Sequence, residues 1–256
     1  LLEIAAEQGA EEILVGLGGS ASTDGGAGLA SALGYHLLDR IGRPIPAGGA
    51  GLSHLERIVP PERLAVTGKR VIAACDVRSP LLGPAGAAWV YAPQKGADPV
   101  TVDLLERGLA RLAEIAERDL GDSAAAKLPG AGAAGGTGFG LMRFALAQLA
   151  RGAEVVLDAV GFRARLQGCR LVISGEGRFD LQSLDGKVTG EVARLAHEAG
   201  VPCLVVAGSA SPAATEALRV LGGQVITTGG SGVGGPARAA LEVEHATAAA
   251  LRRLRG

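Results

Sequence analysis

Val15-Gly16-Leu17-Gly18-Gly19-Ser20-Ala21-Ser22-Thr23-Asp24-Gly25-Gly26-Ala27-Gly28 is the stretch around which the chain is read. An apolar run, Ile13 to Val15, enters it, and an Ala/Leu-rich run with helical spacing, Leu29 to Leu38, leaves it, which predicts strand, glycine loop, helix. Glycine lets the backbone turn tightly and gives a ligand room to approach, while the first N–H groups of a helix are unpaired donors with positive dipole character. An anion suits such a place. Ser20, Ser22 and Thr23 add hydroxyl donors, but Asp24 adds a negative charge that a bare phosphate does not welcome. That conflict points to a metal ion or a hydroxyl-bearing substrate.

Two generic fingerprints fit the loop poorly. Gly16-x-Gly18-x-x-Ala21 satisfies the relaxed dinucleotide pattern, and Asp39 lies about where a ribose-binding acid belongs. No second strand is evident before Asp39, however, because Ile41-Gly42-Arg43-Pro44-Ile45-Pro46 reads as a turn. A Walker loop needs Gly-Lys-Ser/Thr after its glycines, and none is present.

A chain of 256 residues suffices for one large or two ordinary domains. With 48% hydrophobic and 20% charged residues it reads as soluble and globular. The net charge of -1 gives no electrostatic case for nucleic acid or a membrane surface. No apolar run is long enough to span a bilayer and no signal peptide is recognisable, so a cytoplasmic location is expected. Cys75, Cys169 and Cys203 are odd in number and far apart, as reduced cytosolic thiols are, and the four histidines are too scattered for a structural zinc site. The chain opens Leu1-Leu2 and its one methionine is Met142, which suggests a fragment or processed form. Four lysines stand against 21 arginines (25 basic residues minus four), so Lys95 and Lys187, each beside a glycine, hint that a compact ammonium is wanted there.

Along the chain, Leu1 to Gln8 reads as a helix ending at Gly9, and Leu52 to Arg57 gives a short helical hint. Val71 to Ala74 and Ala88 to Tyr91 read as strands, and Val102 to Asp119 as an amphipathic helix. Gly130-Ala131-Gly132-Ala133-Ala134-Gly135-Gly136-Thr137-Gly138-Phe139-Gly140 is a second glycine-rich stretch, readable as a flexible hinge and leading to a helix over Leu141 to Leu149. Then come strand Arg170 to Ser174, helix Gly190 to Ala199, strand Cys203 to Ala207, helix Ala213 to Leu221, strand Gln224 to Thr227 and helix Ala237 to Arg255. This alternation implies parallel strands and part of a doubly wound sheet. The segment Ser174 to Lys187 then reads as a loop beyond the carboxyl end of a strand, where such sheets bind ligands. It holds Glu176, Asp180, Asp185 and Lys187.

Taken together, Gly16 to Gly28, Ala74 to Gly83, Pro93 to Ala97, Gly130 to Gly140 and Ser174 to Lys187 resemble, in order, the motifs of the glycerate kinases that phosphorylate D-glycerate at position 2 with ATP. There are departures. Ser22-Thr23 replaces the usual Thr-Asn, Ser79 the usual Asn, and Phe179 the usual Leu. The family's early Asp-Ser-Phe-Lys-Gly and Ala-Asp-Gly-Gly-Glu-Gly motifs are absent, so the chain resembles the central and C-terminal parts of the family. The resemblance implies two α/β domains, one Rossmann-like with a mainly parallel, here incomplete, sheet, the other an inserted mixed α/β domain. Residues 1–155 would be the inserted domain and 156–256 the end of the Rossmann-like one, with apolar sheet surface exposed and poor stability for these residues alone.

The same resemblance implies ATP and Mg²⁺ as cofactors and D-glycerate as substrate, with no nucleic-acid or membrane partner and a possible homo-oligomer. Gly18, Gly19, Ser20 and Thr23 would bind phosphate or the glycerate carboxylate, with Gly25, Lys95, Gly175, Gln182 and Ser183 completing that set. Asp24 or Asp180 would take the substrate hydroxyl proton, Lys187 (and Lys95) would stabilise phosphoryl oxygens, and Asp76 and Glu176 would hold Mg²⁺. Asp24 equally suits a helix cap and Asp76 a turn. Two other classes remain open, a non-catalytic nucleotide- or phosphate-binding remnant and an NAD-dependent dehydrogenase.

Overall fold

The computed structural model describes residues 1–121, 124–228 and 235–255, and they form two compact units, Leu1–Ala150 and Arg151–Gly256. Each is an α/β layer structure. The division precedes the expected boundary near residue 155, so the helix at 152–159 belongs wholly to the second unit.

The first unit runs α1 (Leu2–Glu7), β1 (Glu12–Gly16), α2 (Ala27–Ala32), β2 (His36–Leu38), β3 (Arg57–Val59), β4 (Arg70–Ala74), α3 (Ala87–Tyr91), α4 (Pro99–Leu120), α5 (Ala133–Phe144) and β5 (Gln148–Ala150). Strands β1, β4 and β5 form a parallel sheet in that order, with Gly16 opposite Ala74 and Ala74 opposite Ala150. β2 and β3 form a separate antiparallel pair. Helix α4 shows how sequence sets an element: Asp98 caps it, accepting the Thr101 amide at 2.7 Å, Pro99 follows with its φ already helical, and Gly121 ends it. Its stripe Val102, Leu109, Leu112, Ile115 and Ala116 is buried, and the core closes around Tyr35, Phe139 and Phe144, with Tyr35 edge-on to Phe144 at 5.1 Å.

The second unit runs α6 (Gly152–Ala159), α7 (Phe162–Leu166), β6 (Val172–Phe179), α8 (Val188–Glu198), β7 (Cys203–Ala210), α9 (Pro212–Val220), β8 (Gly223–Thr227) and α10 (Gly235–Arg255). Its sheet is parallel, in the order β6-β7-β8, as the alternating pattern implied. The central strand is buried from Cys203 to Ala207, as expected of a parallel strand covered on both faces. Burial raises the Cys203 thiol to about 11, so it behaves as a small apolar side chain.

Several sequence expectations are corrected. The helix expected over Leu29 to Leu38 ends at Ala32; Gly34, at φ +87°, reverses the chain into β2. A strand therefore does end just before Asp39, but it pairs antiparallel outside the parallel sheet, and the Asp39 carboxylate accepts the amides of Ile41 and Arg43 at 2.9 Å. The dinucleotide reading loses its ribose acid. Ala88 to Tyr91 lies in helix α3, not a strand: Ala88 and Ala92, four residues apart, are both buried in the core. The helix expected over Leu141 to Leu149 is α5, ending at Phe144, and Gln148–Ala150 is a strand completing the sheet. The segment Ser174 to Lys187 is half strand, since β6 extends through Phe179 to pair with Ala210. Apolar side chains are exposed on the edge strands of both parallel sheets, Leu14 (44%) on β1 and Ile173 (46%) on β6.

Candidate functional site

In the first unit the site begins where β1 ends. The Leu17 amide continues the ladder by donating to the Ala74 carbonyl at 3.0 Å, so the loop after Gly16 and the segment after Ala74 leave the sheet side by side. Asp76 lies in that second segment, exposed. Four of the five motifs converge here. The Gly25 amide donates to the Gly135 carbonyl at 3.1 Å, the Ser79 carbonyl accepts the amides of Gly130 and Gly132, and the Ser79 hydroxyl meets that of Tyr91 at 3.0 Å. A methyl group on Gly136 would lie 2.7 Å from the Gly25 Cα, and one on Gly140 2.7 Å from the Gly26 Cα. The second glycine stretch is thus no hinge. It is buried, and its glycines let two backbones touch. Ala134, Gly135 and Gly136 all have positive φ, and at Ala134 (φ +53°) the left-handed conformation costs roughly 1–2 kcal/mol, held by the surrounding contacts.

The loop has an inner and an outer side. Thr23, Asp24 and Gly25 are buried beneath it. The Asp24 carboxylate accepts the amides of Gly26 and Gly28, each at 3.0 Å, an arrangement that satisfies donors at the start of α2 and places a negative charge at the helix's positive end. Gly25, with its amide given to Gly135, faces Leu112 and Leu109 of α4 rather than offering a donor. Gly18 and Gly19 face open space, with nothing within 4 Å of where a side chain would be, and their amides donate to no described residue. Lys95 closes the outer side, donating from Nζ to the Ser20 hydroxyl at 3.0 Å and to the Ser22 carbonyl. Burial of the ammonium lowers its pKa, opposed by the charge of Asp24.

The fifth motif lies in the second unit. Ser183, fully buried, donates its hydroxyl to Glu176 Oε2 at 2.8 Å and accepts the Asp180 amide at 3.1 Å, and Asp180 Oδ1 accepts the Gln182 amide at 3.0 Å. This is a reciprocal cap on the turn Leu181–Leu184. Ser183 therefore holds Glu176 and the turn, a positioning task that its place in a motif did not reveal. Asp180 Oδ2 lies 3.5 Å from the exposed Arg178 guanidinium, and Lys187 is exposed at the start of α8. Glu176 Oε1 is buried with no partner, the one orphan among this motif's described carboxylate oxygens. Gly175 and Glu176 line a groove of about 530 Å³ together with Gly208, Thr228 and, from α10, Glu242 and Val243.

Among the described residues no group of three or more His, Cys, Asp or Glu is gathered to hold a metal. Asp76 and Glu176 fall in different units. An orphaned carboxylate oxygen suits a cation that keeps most of its water and takes few protein ligands, as Mg²⁺ does. A second groove, of about 710 Å³, lies against α1 and β1, but Leu2, Ile4, Leu14, Val15 and Leu33 make it apolar, without the chemistry of a polar substrate.

These features define an α/β protein with a glycine-loop site carrying hydroxyls, an ammonium and carboxylates. The sequence model of the glycerate kinase family matches residues 1–249, and the chain belongs to that family. It is 46% identical over 213 residues to the glycerate kinase of Halalkalibacterium halodurans (82% of this chain, 55% of that protein) and 43% identical over 209 residues to the glycerate 2-kinase of Escherichia coli (80% and 54%). The crystal structure of glycerate kinase 2 from Salmonella typhimurium LT2 superposes with a TM-score of 0.72 at 43% identity, covering 81% of this chain and 55% of that one. The chain spans about half the length of the curated relatives it matches. Among the described residues no helix is long and apolar enough to cross a membrane.

Proposed function

We propose that this chain carries the substrate loop and an acid–base carboxylate of an ATP-dependent kinase that converts D-glycerate to 2-phosphoglycerate, acting in the cytoplasm and able to self-associate. The observation that carries the reading is the convergence of four of the five motifs around one glycine loop, with free amides, an ammonium and hydroxyls on its open side. The names of its relatives support the same reading.

In phosphoryl transfer the protein mainly positions the reactants and stabilises charge. Gly18, Gly19 and Ser20 bind the anionic end of the substrate, while the buried Thr23 supports the loop from beneath. Both Asp24 oxygens already accept backbone amides, whereas Asp180 accepts one only at Oδ1, so Asp180 has an oxygen open to take the substrate proton. Lys187, exposed and unpaired among the described residues, meets phosphoryl oxygens. Asp76 in the first unit and Glu176 in the second are each a candidate ligand for Mg²⁺, which when bound with ATP would supply charge neutralisation on the transferring group.

The test is a coupled ADP-release assay with D-glycerate, ATP and Mg²⁺, with the product's phosphate position read by NMR, on this chain and on one lengthened at its N-terminus toward its relatives. Formation of 2-phosphoglycerate by either supports the proposal. Well-folded protein that binds ligands without turnover in both forms favours the binding-module reading, and a 3-phosphate product refutes the position assigned.

A further inference from the structure

We infer that Lys95 and Ser20 together form the receptor for the substrate's carboxylate, which makes Lys95 the residue that restricts the site to small hydroxy acids and excludes the corresponding neutral polyols. This rests on the kinase reading of the same loop and departs from it in one respect: Lys95 serves the substrate, not the transferring phosphoryl group.

The ammonium has three N–H donors. Two go to Ser20 Oγ and the Ser22 carbonyl, both neutral acceptors, and among the described residues Lys95 forms no ion pair, so a half-buried charge is left with a donor to give. Ser20 accepts from Lys95 with its oxygen and keeps its own hydroxyl hydrogen for another acceptor. Two charge-assisted or polar donors thus stand 3.0 Å apart, close to the spacing at which the two oxygens of one carboxylate can each take one. The free amides of Gly18 and Gly19 flank the same opening.

The competing ligand for such a cluster is phosphate. Asp24 decides against it: its carboxylate is held by the Gly26 and Gly28 amides, and its charge is near enough to be felt at Lys95. A doubly charged phosphate would meet that charge, whereas a singly charged carboxylate neutralises the ammonium and stops there. The hydroxyl on the neighbouring carbon is then left for the proton acceptor. A hydroxy acid has both groups at that spacing; glycerol has only the hydroxyls.

The experiment is a calorimetric titration of this chain with D-glycerate, its uncharged amide, glycerol and inorganic phosphate, repeated on Lys95→Met with circular dichroism to confirm folding. The wild-type chain is expected to bind glycerate ~10- to 100-fold more tightly than the amide, the range for losing one charged hydrogen bond at a partly buried site. Lys95→Met should weaken glycerate by a similar factor and leave the amide almost unchanged, so that the two ligands bind alike. A purely structural lysine would weaken both equally, and that result overturns the proposal. So does wild-type binding that ignores the carboxylate's charge, undetectable glycerate binding, or phosphate that displaces glycerate at lower concentration than glycerate itself requires. Should Lys95→Met fail to fold, the comparison of the wild-type ligands still decides. The kinase reading fails separately, by the expected discrimination without any phosphate transfer.

Discussion

Replacing Gly140 with alanine separates a helix effect from a packing effect by the sign of one number. In an ordinary helix interior the substitution stabilises by ~1 kcal/mol, because alanine loses less backbone entropy than glycine. Gly140 lies in α5, and its φ is not in the left-handed region. The added methyl would nevertheless sit 2.7 Å from the Gly26 Cα and 2.8 Å from the Gly25 carbonyl oxygen, about 1 Å inside ordinary contact. Both obstacles are backbone and cannot swing away like a side chain. Overpacking of this kind costs ~1–3 kcal/mol, and rigid neighbours place it toward the upper end, leaving a net loss of about 1–2 kcal/mol. Urea unfolding followed through Trp89, the sole tryptophan and part of the same unit, would show it. With a slope of ~2 kcal/mol per molar, the midpoint should fall by about 0.5–1 M. Gly16→Ala is the control, since its methyl meets nothing within 4 Å, and it should shift stability by less than ~0.5 kcal/mol. A midpoint for Gly140→Ala equal to or above wild type would refute the claim that the two glycine stretches are welded backbone to backbone.

Three further outcomes follow from the same geometry. Ser183→Ala removes the partner of Glu176 Oε2 and of the Asp180 amide in a fully buried place, so local opening should become easier by ~1–3 kcal/mol; amide exchange in β6 and β7 should accelerate tenfold or more, and unchanged protection would count against this. Asp119 is held below the usual carboxylate range by its hydrogen bond with Arg118 foremost, aided by the Ile58 amide and opposed by burial. A depressed folded pKa means stability that is present above the ordinary value near ~4 and lost as pH falls through the lower folded one. The urea midpoint should therefore drop more steeply below pH ~4 in wild type than in Asp119→Asn, and parallel profiles would exclude the effect. In a turnover-competent form, Asp180→Asn should lower kcat by ~10²–10⁴ while circular dichroism stays unchanged, and wild-type activity would remove Asp180 from the mechanism.

The sequence alone determined a good deal. Glycines in two long runs, hydroxyls and an aspartate in the first, and a regular β-α alternation after residue 170 were enough to place the parallel sheet of the second unit and the strand-loop-helix around Gly16 to Gly28. Those features are local: period, turn chemistry and capping act over a few residues. Where they competed, local reading failed. Ala88 to Tyr91 has strand composition but is helical, with Ala88 and Ala92 buried in the core four residues apart, and Leu29 to Leu38 is split by Gly34 into helix and strand because β2 finds a partner in β3 some twenty residues later.

Tertiary structure alone decided which polar groups of the motifs are used inside the protein and which stay open. Gly25 and Ser183 share motifs with exposed residues, yet one gives its amide to Gly135 and the other its hydroxyl to Glu176. Lys95 stands 75 residues from Ser20 along the chain, and no spacing rule brings them within a hydrogen bond. The reason is physical. A motif fixes which chemical groups are available, whereas burial and long-range hydrogen bonds use some of those groups inside the protein and leave the remainder, here the outer amides, one hydroxyl and one ammonium, on its open side.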